Sequence, residues 1–453
     1  MKLAVIGGGG FRTPAMYEAL LAASGALQLA ELVLHDADEA RLRRIDDVLR
    51  GIDAERGERL ARRTTTDVDD AIEGAQFVLC ALRVGGLPAR LADEQIPLEL
   101  GLLGQETVGA GGLCAALRTV PVVLDVAERV AARAPGAWFL DYTNPAGLVT
   151  EALQEVLGDR VVGICDSPVA LTRGVAGALG RGVDELRFDY GGLNHLGWLK
   201  AVRSGERDLL PDLLADDARL ARLEEGRVFG PELLRALGRI PSEYLAYYYF
   251  SREVVEALRA GEPRAALLIR EQEAFYAGNG RARRDALAAW RAAVRRRSAS
   301  YLDEVHRARR IPGGSADELP PDGGLAGYTS VALGVVRALA TGAPAVLFLN
   351  TANRGAIPFL DERAVVEVPC EVGARGVRPL PSSEWTLHEQ GLVSLVKDAE
   401  RAAIEAARRR SRSLAVRALA LHPLVGSVEA ATSVLDRHLA RVPELREQFA
   451  ARR

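Results

Sequence analysis

The first fourteen residues, MKLAVIGGGGFRTP (residues 1–14), decide the fold class of this chain. Residues 2–6 form a short apolar strand, and four consecutive glycines at 7–10 follow it directly. Thr13 and Pro14 then supply an N-cap and a first-turn proline, which indicate that a helix begins there. Glycines in such a turn let the backbone approach a pyrophosphate, and the helix N-terminus contributes amide donors. The stretch therefore predicts the first strand–turn–helix unit of a dinucleotide-binding sheet.

The second predicted strand ends in a residue that bears on the choice of cofactor. Residues 32–34 form a buried strand, and His35 and Asp36 follow it. A carboxylate at this strand end binds both ribose hydroxyls of the cofactor and favours NAD over NADP. Arg12 replaces the third glycine of the usual G-x-G-x-x-G pattern, and Asp36 could instead cap the next helix. The combination of the turn, the helix and the strand-end carboxylate favours NAD binding.

The rest of the chain extends this pattern and then changes it. Apolar runs at 77–82, 138–142 and 161–165 alternate with helical stretches, which is typical of a doubly wound parallel sheet. After about residue 166, shorter strands are followed by long Ala/Arg/Leu helices at 285–309 and 394–421. We therefore predict an α/β protein with a Rossmann-type NAD-binding domain at 1–166. A mixed, helix-rich α/β domain, expected to carry the substrate and metal site, follows at 167–453. The overall architecture would be similar to that of lactate and malate dehydrogenases.

Composition and charge exclude several classes of protein. With 58 basic and 61 acidic residues the net charge is −3, so no overall field attracts nucleic acid or an anionic membrane. We expect a cytoplasmic protein, because the start lacks a signal-peptide pattern and no uncharged apolar run approaches the ~20 residues of a membrane span. Four cysteines are too few for a disulfide framework. Only three basic residues are lysine, so runs such as Arg295-Arg296-Arg297 are interpreted as solvated helix faces.

Polar residues gather where the predicted strands end, which is where doubly wound sheets bind ligands. A Cys and a His from different strands, Cys165 and His195, could share a Mn, Fe, Co, Ni or Zn ion. Two protein ligands leave coordination positions open for substrate oxygens, as a catalytic metal requires. Taken singly, each residue is more often structural: a buried cysteine usually packs, and a buried histidine is usually hydrogen-bonded. The pair alone is a weak signal.

Six short blocks in combination resemble glycoside hydrolase family four. They are Gly-Gly-Gly-Gly-x-x-Thr-Pro at 7–14, Arg-Val-Gly-Gly at 83–86, Gly-Gln-Glu-Thr at 104–107, Thr-Asn-Pro at 143–145, Asn-His-Leu-Gly-Trp at 194–198 and Tyr-Leu-x-Tyr-Tyr at 244–248. The resemblance extends to Leu-His-Pro-Leu at 421–424 and so covers nearly the whole chain. Within the family, the segment from Arg83 to Pro121 is most similar to the 6-phospho-β-glucosidases.

The resemblance implies a glycosidase that works by oxidation and elimination, whereas most glycosidases use two carboxylates. Bound NAD⁺ would oxidise the sugar at C3, which acidifies the proton at C2. A divalent metal, usually manganese, would hold the C2 and C3 oxygens. Removal of the C2 proton would then expel the aglycone from C1, water would add, and the hydride would be returned.

Site residues follow from the same resemblance, block by block. The metal ligands would be Cys165 and His195, and Tyr244 would be the base at C2. Candidate acids for the leaving oxygen are Glu106 and Asp166. The substrate would be bound by Arg90 at its phosphate or at the neighbouring group, and by Asn144 and Asn194 at its hydroxyls. The cofactor would be bound by Gly7, Gly8, Gly9, Gly10, Phe11, Asp36 and Arg83. The family also implies a homodimer or homotetramer.

Two departures from the family pattern leave the substrate open. Asp166 follows the metal-binding cysteine as in α-specific members, whereas β-specific members commonly have Asn there. Asp322 stands where phosphosugar-hydrolysing relatives have an Arg that binds the 6-phosphate, and a carboxylate would repel that group. The substrate could therefore be α-linked or unphosphorylated. Two further candidate functions are a hydroxy-acid dehydrogenase without a metal and an inert NAD-binding regulator.

Overall fold

A single twisted sheet runs through the protein in the computed structural model, which describes residues 1–278, 283–313 and 326–450. Its strands are β1 (Lys2–Ile6), β2 (Glu31–His35), β3 (Arg62–Thr65), β4 (Phe77–Cys80), β5 (Trp138–Asp141), β6 (Val161–Gly163), β7 (Arg187–Leu193), β8 (Leu196–Ser204), β9 (Arg207–Asp208), β10 (Ile240–Pro241), β11 (Ala345–Ala352), β12 (Val365–Gly373) and β13 (Gly376–Pro379).

Helices cover both faces of this sheet. They are α1 (Thr13–Leu27), α2 (Glu39–Arg56), α3 (Val68–Ile72), α4 (Gly86–Glu99), α5 (Gly109–Arg133), α6 (Ala146–Leu157), α7 (Ser167–Leu179), α8 (Leu210–Leu214), α9 (Asp217–Leu220), α10 (Glu224–Phe229), α11 (Pro231–Leu237), α12 (Ala246–Tyr249), α13 (Ser251–Arg259), α14 (Arg264–Ala277), α15 (Arg283–Ala299), α16 (Asp303–Arg309), α17 (Ala326–Thr341), α18 (Leu387–Arg409), α19 (Arg412–Leu421), α20 (Val428–Arg441) and α21 (Pro443–Ala450). Short 3₁₀ turns occur at Gly158–Arg160, Val183–Glu185 and Glu243–Leu245.

The strand order explains where ligands can bind. The first six strands are parallel and lie in the order β3-β2-β1-β4-β5-β6, the order of a dinucleotide-binding sheet. Beyond β6 the sheet continues antiparallel through β11, β12, β7 and β8 to β10. The sheet therefore passes without a break across residue 166, and the domain boundary there stays a prediction.

The alternation of side chains along β1 divides the core into two layers. Leu3 and Val5 pack with α1 and α2 on one face. Ala4 and Ile6 face the other side, where α5 and α6 are covered by the C-terminal helices α18 to α21. The end of the chain thus packs against the parallel half of the sheet, because α5 would otherwise expose its second apolar side.

Each of the two long predicted helices is interrupted in the structure. Residues 285–309 form α15 and α16, separated at Leu302, whose φ is 55°. Residues 394–421 belong to α18 and α19, which meet at Arg410, whose φ is 53°. The Ser411 side chain accepts a hydrogen bond from the backbone N–H of Leu414 and so begins the next helix. Apolar residues recur at helical spacing on both sides of each break, so the sequence pattern predicts one continuous helix in each case.

One helix of the described residues, α5, is long and apolar enough to cross a membrane. Its most apolar window is 78% buried inside the protein. This burial is typical of a core helix, since α5 contacts α18 and its apolar side chains share a core cluster with residues of the sheet.

Asp141, at the end of β5, gives a prediction about stability. Its carboxyl is fully buried, and this burial raises its pKa to about 8, although hydrogen bonds from Thr143 and Thr150 oppose the shift. Between about pH 4 and pH 8 the unfolded chain ionises this group and the folded protein keeps it protonated, so the free energy of unfolding falls as pH rises. Asp141→Asn should therefore raise the melting temperature relative to wild type more at pH 8 than at pH 5. Equal differences at both pH values would contradict this.

Candidate active site

The glycine turn after β1 is held by its neighbours in a shape that only glycine permits. Gly7 has φ 86°, and a Cβ there would lie 2.6 Å from the carbonyl oxygen of Ala81. The backbone N–H groups of Gly7 and Gly8 both donate to the carbonyl of His35, at 2.9 and 2.6 Å. Helix α1 begins immediately after the turn, and its N-cap is Arg12 rather than the expected Thr13. The turn and the helix start therefore lie where a dinucleotide phosphate would bind.

Asp36 is oriented by this turn and does not cap the following helix. Its Oδ2 accepts a hydrogen bond from the Gly9 N–H at 3.1 Å. The cap of α2 is instead Asp38, whose side chain accepts from the N–H groups of Ala40 and Arg41. The alternative interpretation of Asp36 as a helix cap is therefore wrong, and its carboxylate lies at the cavity, where a ribose could reach it.

Two aromatic side chains of α14 and α15 also hold the glycine turn. The Tyr276 hydroxyl donates to the Gly9 carbonyl at 2.8 Å, and the Trp290 indole N–H donates to the Phe11 carbonyl at 2.9 Å. Neither residue could be identified from the sequence, because a hydrogen bond between residues more than 260 positions apart leaves no local pattern. These contacts bring α14 and α15 over the NAD-binding half.

A cavity of about 730 Å³ opens at the carboxyl ends of the parallel strands. Eight of the predicted site residues line it: Gly7, Gly10, Phe11, Asp36, Arg83, Arg90, Glu106 and Asn144. The structure thus brings together, in one cavity, residues from five separate segments of the chain. Asp322 lies outside the described residues.

Glu106 is an ionised carboxylate held between arginines. Its Oε2 accepts from Arg83 at 2.5 Å, and its Oε1 lies 2.8 Å from an Nη1 of the buried Arg90. Burial would raise the pKa of Glu106, but Arg83, Arg90, Arg264 and Arg297 outweigh it and hold the pKa well below its usual range. This environment does not suit a proton donor, so the structure disfavours the acid role that the resemblance implied for Glu106.

The arginines around Glu106 outnumber the carboxylates. Burial lowers the pKa of Arg297, and the positive charges nearby lower it further; they belong to Arg12, Arg264 and Arg90. The negative charge of Glu106 raises this pKa but does not outweigh them. Arg297 and Arg12 line the same cavity. Positive charge in excess at this cavity favours a bound anion.

Arg297 corrects one prediction from the sequence. The run at 295–297 was expected to be a solvated face, but only its first two members are exposed, and Arg297 is half-buried at the cavity. Successive helical residues point about 100° apart, so three in a row cannot share one face. The helix period was the signal that could have identified Arg297.

The proposed metal ligands and base form a group beside this cavity. The rings of His195 and Tyr244 are stacked, 3.7 Å apart and within 4° of parallel. Burial lowers the pKa of His195 to about 3, which keeps the imidazole neutral, the form that binds metals. The three largest causes that raise the pKa of the Tyr244 phenol are burial, then the charge of Glu243, then the charge of a Cys165 thiolate. Cys165 therefore lies close to Tyr244. The structure therefore places Cys165, His195 and Tyr244 together.

The charges around Cys165 suit a divalent cation. Burial raises the pKa of its thiol, and the carboxylates of Glu367 and Asp166 raise it further. A bound cation would reverse this by favouring the thiolate. Within the described ranges there is no cluster of three or more His, Cys, Asp or Glu side chains able to hold a metal. A site with two protein ligands and open positions fits these observations.

A buried hydrogen-bond network centred on Glu367 lies next to Cys165. No sequence motif indicated this network. Oε1 of Glu367 accepts from the side-chain amides of Asn194 and Asn350, at 3.1 and 3.0 Å, and Oε2 accepts from the Tyr190 hydroxyl at 3.2 Å. Asn194, predicted to bind substrate, thus has its amide engaged with the protein. A carboxylate within the apolar strand β12 was the available signal.

The remaining candidates lie at the ends of β5 and β6. Asn144 precedes Pro145 through a cis peptide bond and lines the cavity. Asp166 follows Cys165 directly, and α17 packs closely against it. A Cβ added to Gly327 of α17 would lie only 3.0 Å from the Cβ of Asp166. Asp166 therefore lies next to a predicted metal ligand, at the N-cap of α7.

Comparison with known proteins places this fold and site in a family. A model described as "Family 4 glycosyl hydrolase" matches residues 2–181, and its "C-terminal domain" counterpart matches residues 190–425. The "Probable 6-phospho-beta-glucosidase" of Bacillus subtilis (strain 168) is 31% identical over 463 aligned positions, covering 100% of this chain and 99% of that relative. The chain belongs to family 4 of the glycosyl hydrolases, which confirms the resemblance and argues against a hydroxy-acid dehydrogenase.

Solved structures agree with this assignment. The 6-phospho-beta glucosidase of Thermotoga maritima, solved with NAD and glucose-6-phosphate, has a TM-score of 0.81 at 27% identity, covering 98% of this chain and 99% of that chain. A 6-phospho-alpha-glucosidase from gut microorganisms, solved with NAD and Mn²⁺, has a TM-score of 0.79 at 26% identity, covering 97% of each chain. Malate dehydrogenase of Plasmodium falciparum shares the fold alone, with a TM-score of 0.52 at 12% identity. The predicted Rossmann-type α/β architecture is confirmed.

Proposed function

We propose that the protein is a 6-phospho-β-glucosidase that depends on NAD and a divalent metal, most simply manganese. The observation that carries the proposal is the excess of arginine around Glu106, where four arginines, Arg83, Arg90, Arg264 and Arg297, face two carboxylates, Glu106 and Glu94. A phosphate dianion on the substrate would balance this charge and accept several charge-assisted hydrogen bonds. The arginine that is absent at position 322 would then be replaced by arginines of α14 and α15.

The cofactor assignments rest on the geometry of the two ends of the site. The glycine turn and Asp36 fit a pyrophosphate and a ribose, while Cys165 and the neutral His195 fit a divalent cation. When bound, NAD⁺ supplies a hydride acceptor, and the cation supplies positive charge for the oxygens at C2 and C3. The solved relatives with NAD and Mn²⁺ support both assignments.

Each catalytic side chain has one task in this proposal. Tyr244, whose ring stacks on His195, accepts the C2 proton at its phenol oxygen. Asp166, beside Cys165, gives a proton to the leaving oxygen at C1. Glu106 does not move a proton and instead holds Arg83 and Arg90 toward the substrate phosphate. Asn144 lies at the cavity to bind a substrate hydroxyl.

The β anomer, the cellular location and the assembly belong to the same proposal. The 31% identical relative supports β-linked substrates, whereas Asp166 after the cysteine is the α-type feature. All four cysteines are free and buried, which supports a reducing cytoplasm. A homodimer or homotetramer stays a prediction of the family resemblance.

One panel of substrates tests this function. Release of nitrophenol would be measured from p-nitrophenyl β-glucoside 6-phosphate, its unphosphorylated form and both α anomers, with NAD⁺, Mn²⁺ and a reductant. We expect the phosphorylated β substrate to react fastest and no NADH to accumulate. Faster reaction of the phosphorylated α substrate would reverse the anomer assignment. A keto product with stoichiometric NADH would overturn the hydrolase mechanism.

Arg297→Ala tests the phosphate assignment directly. Losing a charge-assisted hydrogen bond of about 1.5–3 kcal/mol should raise KM for the phosphorylated substrate by about 10- to 150-fold, with a smaller effect on the unphosphorylated one. Arg295→Ala is the matched control, because Arg295 is on the same helix and exposed to solvent. Equal effects of Arg297→Ala on both substrates would remove Arg297 from the phosphate site.

A further inference from the structure

The loop between β4 and α4, residues 83–86, carries Arg83 and forms part of the cavity wall. Arg83, Val84 and Gly86 all line the cavity. Gly85 and Gly86 both lie in the left-handed region, with φ of 76° and 60°, and the Gly86 N–H donates to the Arg83 carbonyl at 3.0 Å. Two adjacent glycines give a backbone many alternative conformations, so this loop needs a restraint from outside to keep one shape.

Arg118, in α5, supplies such a restraint. Its Nε donates to the carbonyl oxygen of Val84 at 3.0 Å. The guanidinium is itself fixed, because Nη1 and Nη2 donate to the two carboxylate oxygens of Asp93 in α4, at 2.8 and 2.6 Å. A planar fork that is bound on two sides cannot turn without breaking a charge-assisted hydrogen bond. Arg118 therefore holds the middle of the loop at a fixed place.

The pair of Arg118 and Asp93 is a buried anchor, closed in by the C-terminal helices. The two side chains are 2% and 1% exposed. Nε2 of His438, in α20, lies 3.5 Å from Oδ1 of Asp93. The carboxylate of Glu444, in α21, packs against the loop, since its Oε2 would lie 3.0 Å from a Cβ added to Gly85. Separating a buried ion pair is costly, so this anchor keeps its geometry.

The position of Arg83 depends on this loop. Its guanidinium donates to Glu106 at 2.5 Å, and Glu106 also pairs with Arg90, so the side-chain contact is shared. The backbone of Arg83 is attached to the two flexible glycines, and the bond from Arg118 to Val84 is the side-chain contact on that segment. A binding group contributes most when its position is fixed before the ligand arrives. Arg118 has no task in the proposed function.

We propose that Arg118, held by Asp93, is a positioning residue that fixes the 83–86 loop through the Val84 carbonyl and so presents Arg83 to the substrate phosphate. This rests on the proposed function, in which Arg83 belongs to the phosphate site. Arg118 also borders the cavity, but each of its three nitrogens already donates to a protein acceptor. It therefore acts on the substrate through Arg83.

A double-mutant cycle tests whether Arg118 acts through Arg83. We would measure KM, with NAD⁺ and Mn²⁺, for p-nitrophenyl β-glucoside 6-phosphate and its unphosphorylated form. Arg118→Lys keeps a positive charge beside Asp93 but cannot bond Val84 as well. We expect it to raise KM for the phosphorylated substrate about three- to tenfold, and for the other by less than about twofold. In an Arg83→Ala background, Arg118→Lys should change KM by less than about twofold, because no side chain is left to position.

A second variant disturbs the loop without touching the buried pair. Gly86→Ala strains the loop because of its φ of 60°, although the added Cβ would meet only Pro88, at 3.6 Å. It should reproduce the selective rise in KM and lose it in the Arg83→Ala background. Arg235→Lys is the matched control for Arg118→Lys. Arg235 also donates from Nε to a backbone carbonyl, that of Leu214 at 2.8 Å, and pairs with a carboxylate, Asp217, away from the cavity lining. It should leave KM for both substrates within about twofold of wild type.

The outcomes distinguish this inference from the proposed function. An unchanged KM in Arg118→Lys, an equal rise for both substrates, or the same rise with and without Arg83 would each show that Arg118 does not position Arg83. If Arg83→Ala itself left KM for the phosphorylated substrate unchanged, the proposed phosphate site would fail instead. Melting temperatures, compared with that of Arg235→Lys, show which variants are folded. If Arg118→Lys does not fold, the cycle of Gly86→Ala with Arg83→Ala decides by the same criteria.

Discussion

Replacing Tyr244 by Phe is expected to lower kcat by about 10²- to 10⁴-fold, the range that a positioned general base contributes. The substitution keeps the ring that stacks on His195, so the fold and NAD⁺ affinity should be retained. It removes the phenol oxygen, the atom that would accept the C2 proton. The measurement is steady-state turnover of the phosphorylated β-glucoside, together with NAD⁺ affinity by calorimetry.

Tyr248→Phe is the control for this experiment. Tyr248 belongs to the same aromatic run, but its ring contacts His422 rather than His195. Removing the hydroxyl of Tyr248 should change kcat only slightly. Product formed by wild-type enzyme in D₂O should also carry deuterium at C2, because the proton removed there is replaced from solvent. An active Tyr244→Phe enzyme, with no isotope effect at C2 or C3, would require abandoning the elimination mechanism.

The second large effect is expected from the two proposed metal ligands. Cys165→Ala or His195→Ala should abolish activity and metal binding, because each removes one of two protein donors to the cation. EDTA should inactivate the wild-type enzyme, and Mn²⁺ should restore it. Metal content by mass spectrometry is the direct measurement, and it does not depend on turnover.

Cys370→Ala is the matched control for these substitutions. Cys370 is also buried, but it lies within β12, and its thiol contacts the backbone carbonyl of Val368. It should retain bound Mn²⁺ even if its core packing suffers. Activity that survived thorough chelation, or full metal content in Cys165→Ala, would remove Cys165 from the metal site.

Short-range patterns were sufficient for the NAD-binding half. The strand, glycine turn and helix at the N-terminus occur as expected, because a close turn admits only glycine and leaves a clear composition signal. Strand β3 was missed, since Arg62 and Arg63 hold it at the sheet edge by ion pairs rather than by apolar burial. Apolar periodicity cannot detect a strand of that kind.

The residues of the candidate site also fall into two groups, those carried by a local motif and those defined by contacts with distant segments. Those carried by a motif could be predicted. Gly7 and Asp36 line the cavity, and Cys165, His195 and Tyr244 lie together beside it. Arg264 and Arg297 could not be predicted, because they reach Glu106 from helices more than 150 residues away, in a chain where arginine is common. Glu367 could not be predicted for the same reason, since its role is defined by contacts with distant segments of the chain.

The sequence by itself determined the fold class, the family resemblance and the chemical types of the site, because turns, strand periods and motifs are set by neighbouring residues. The tertiary structure alone decided the charge state of Glu106, the excess of arginine at the cavity and the hydrogen-bond network around Glu367. A pKa depends on burial and on every charge nearby, and an anion site depends on which side chains converge. Both are properties of three-dimensional proximity, which local sequence does not encode.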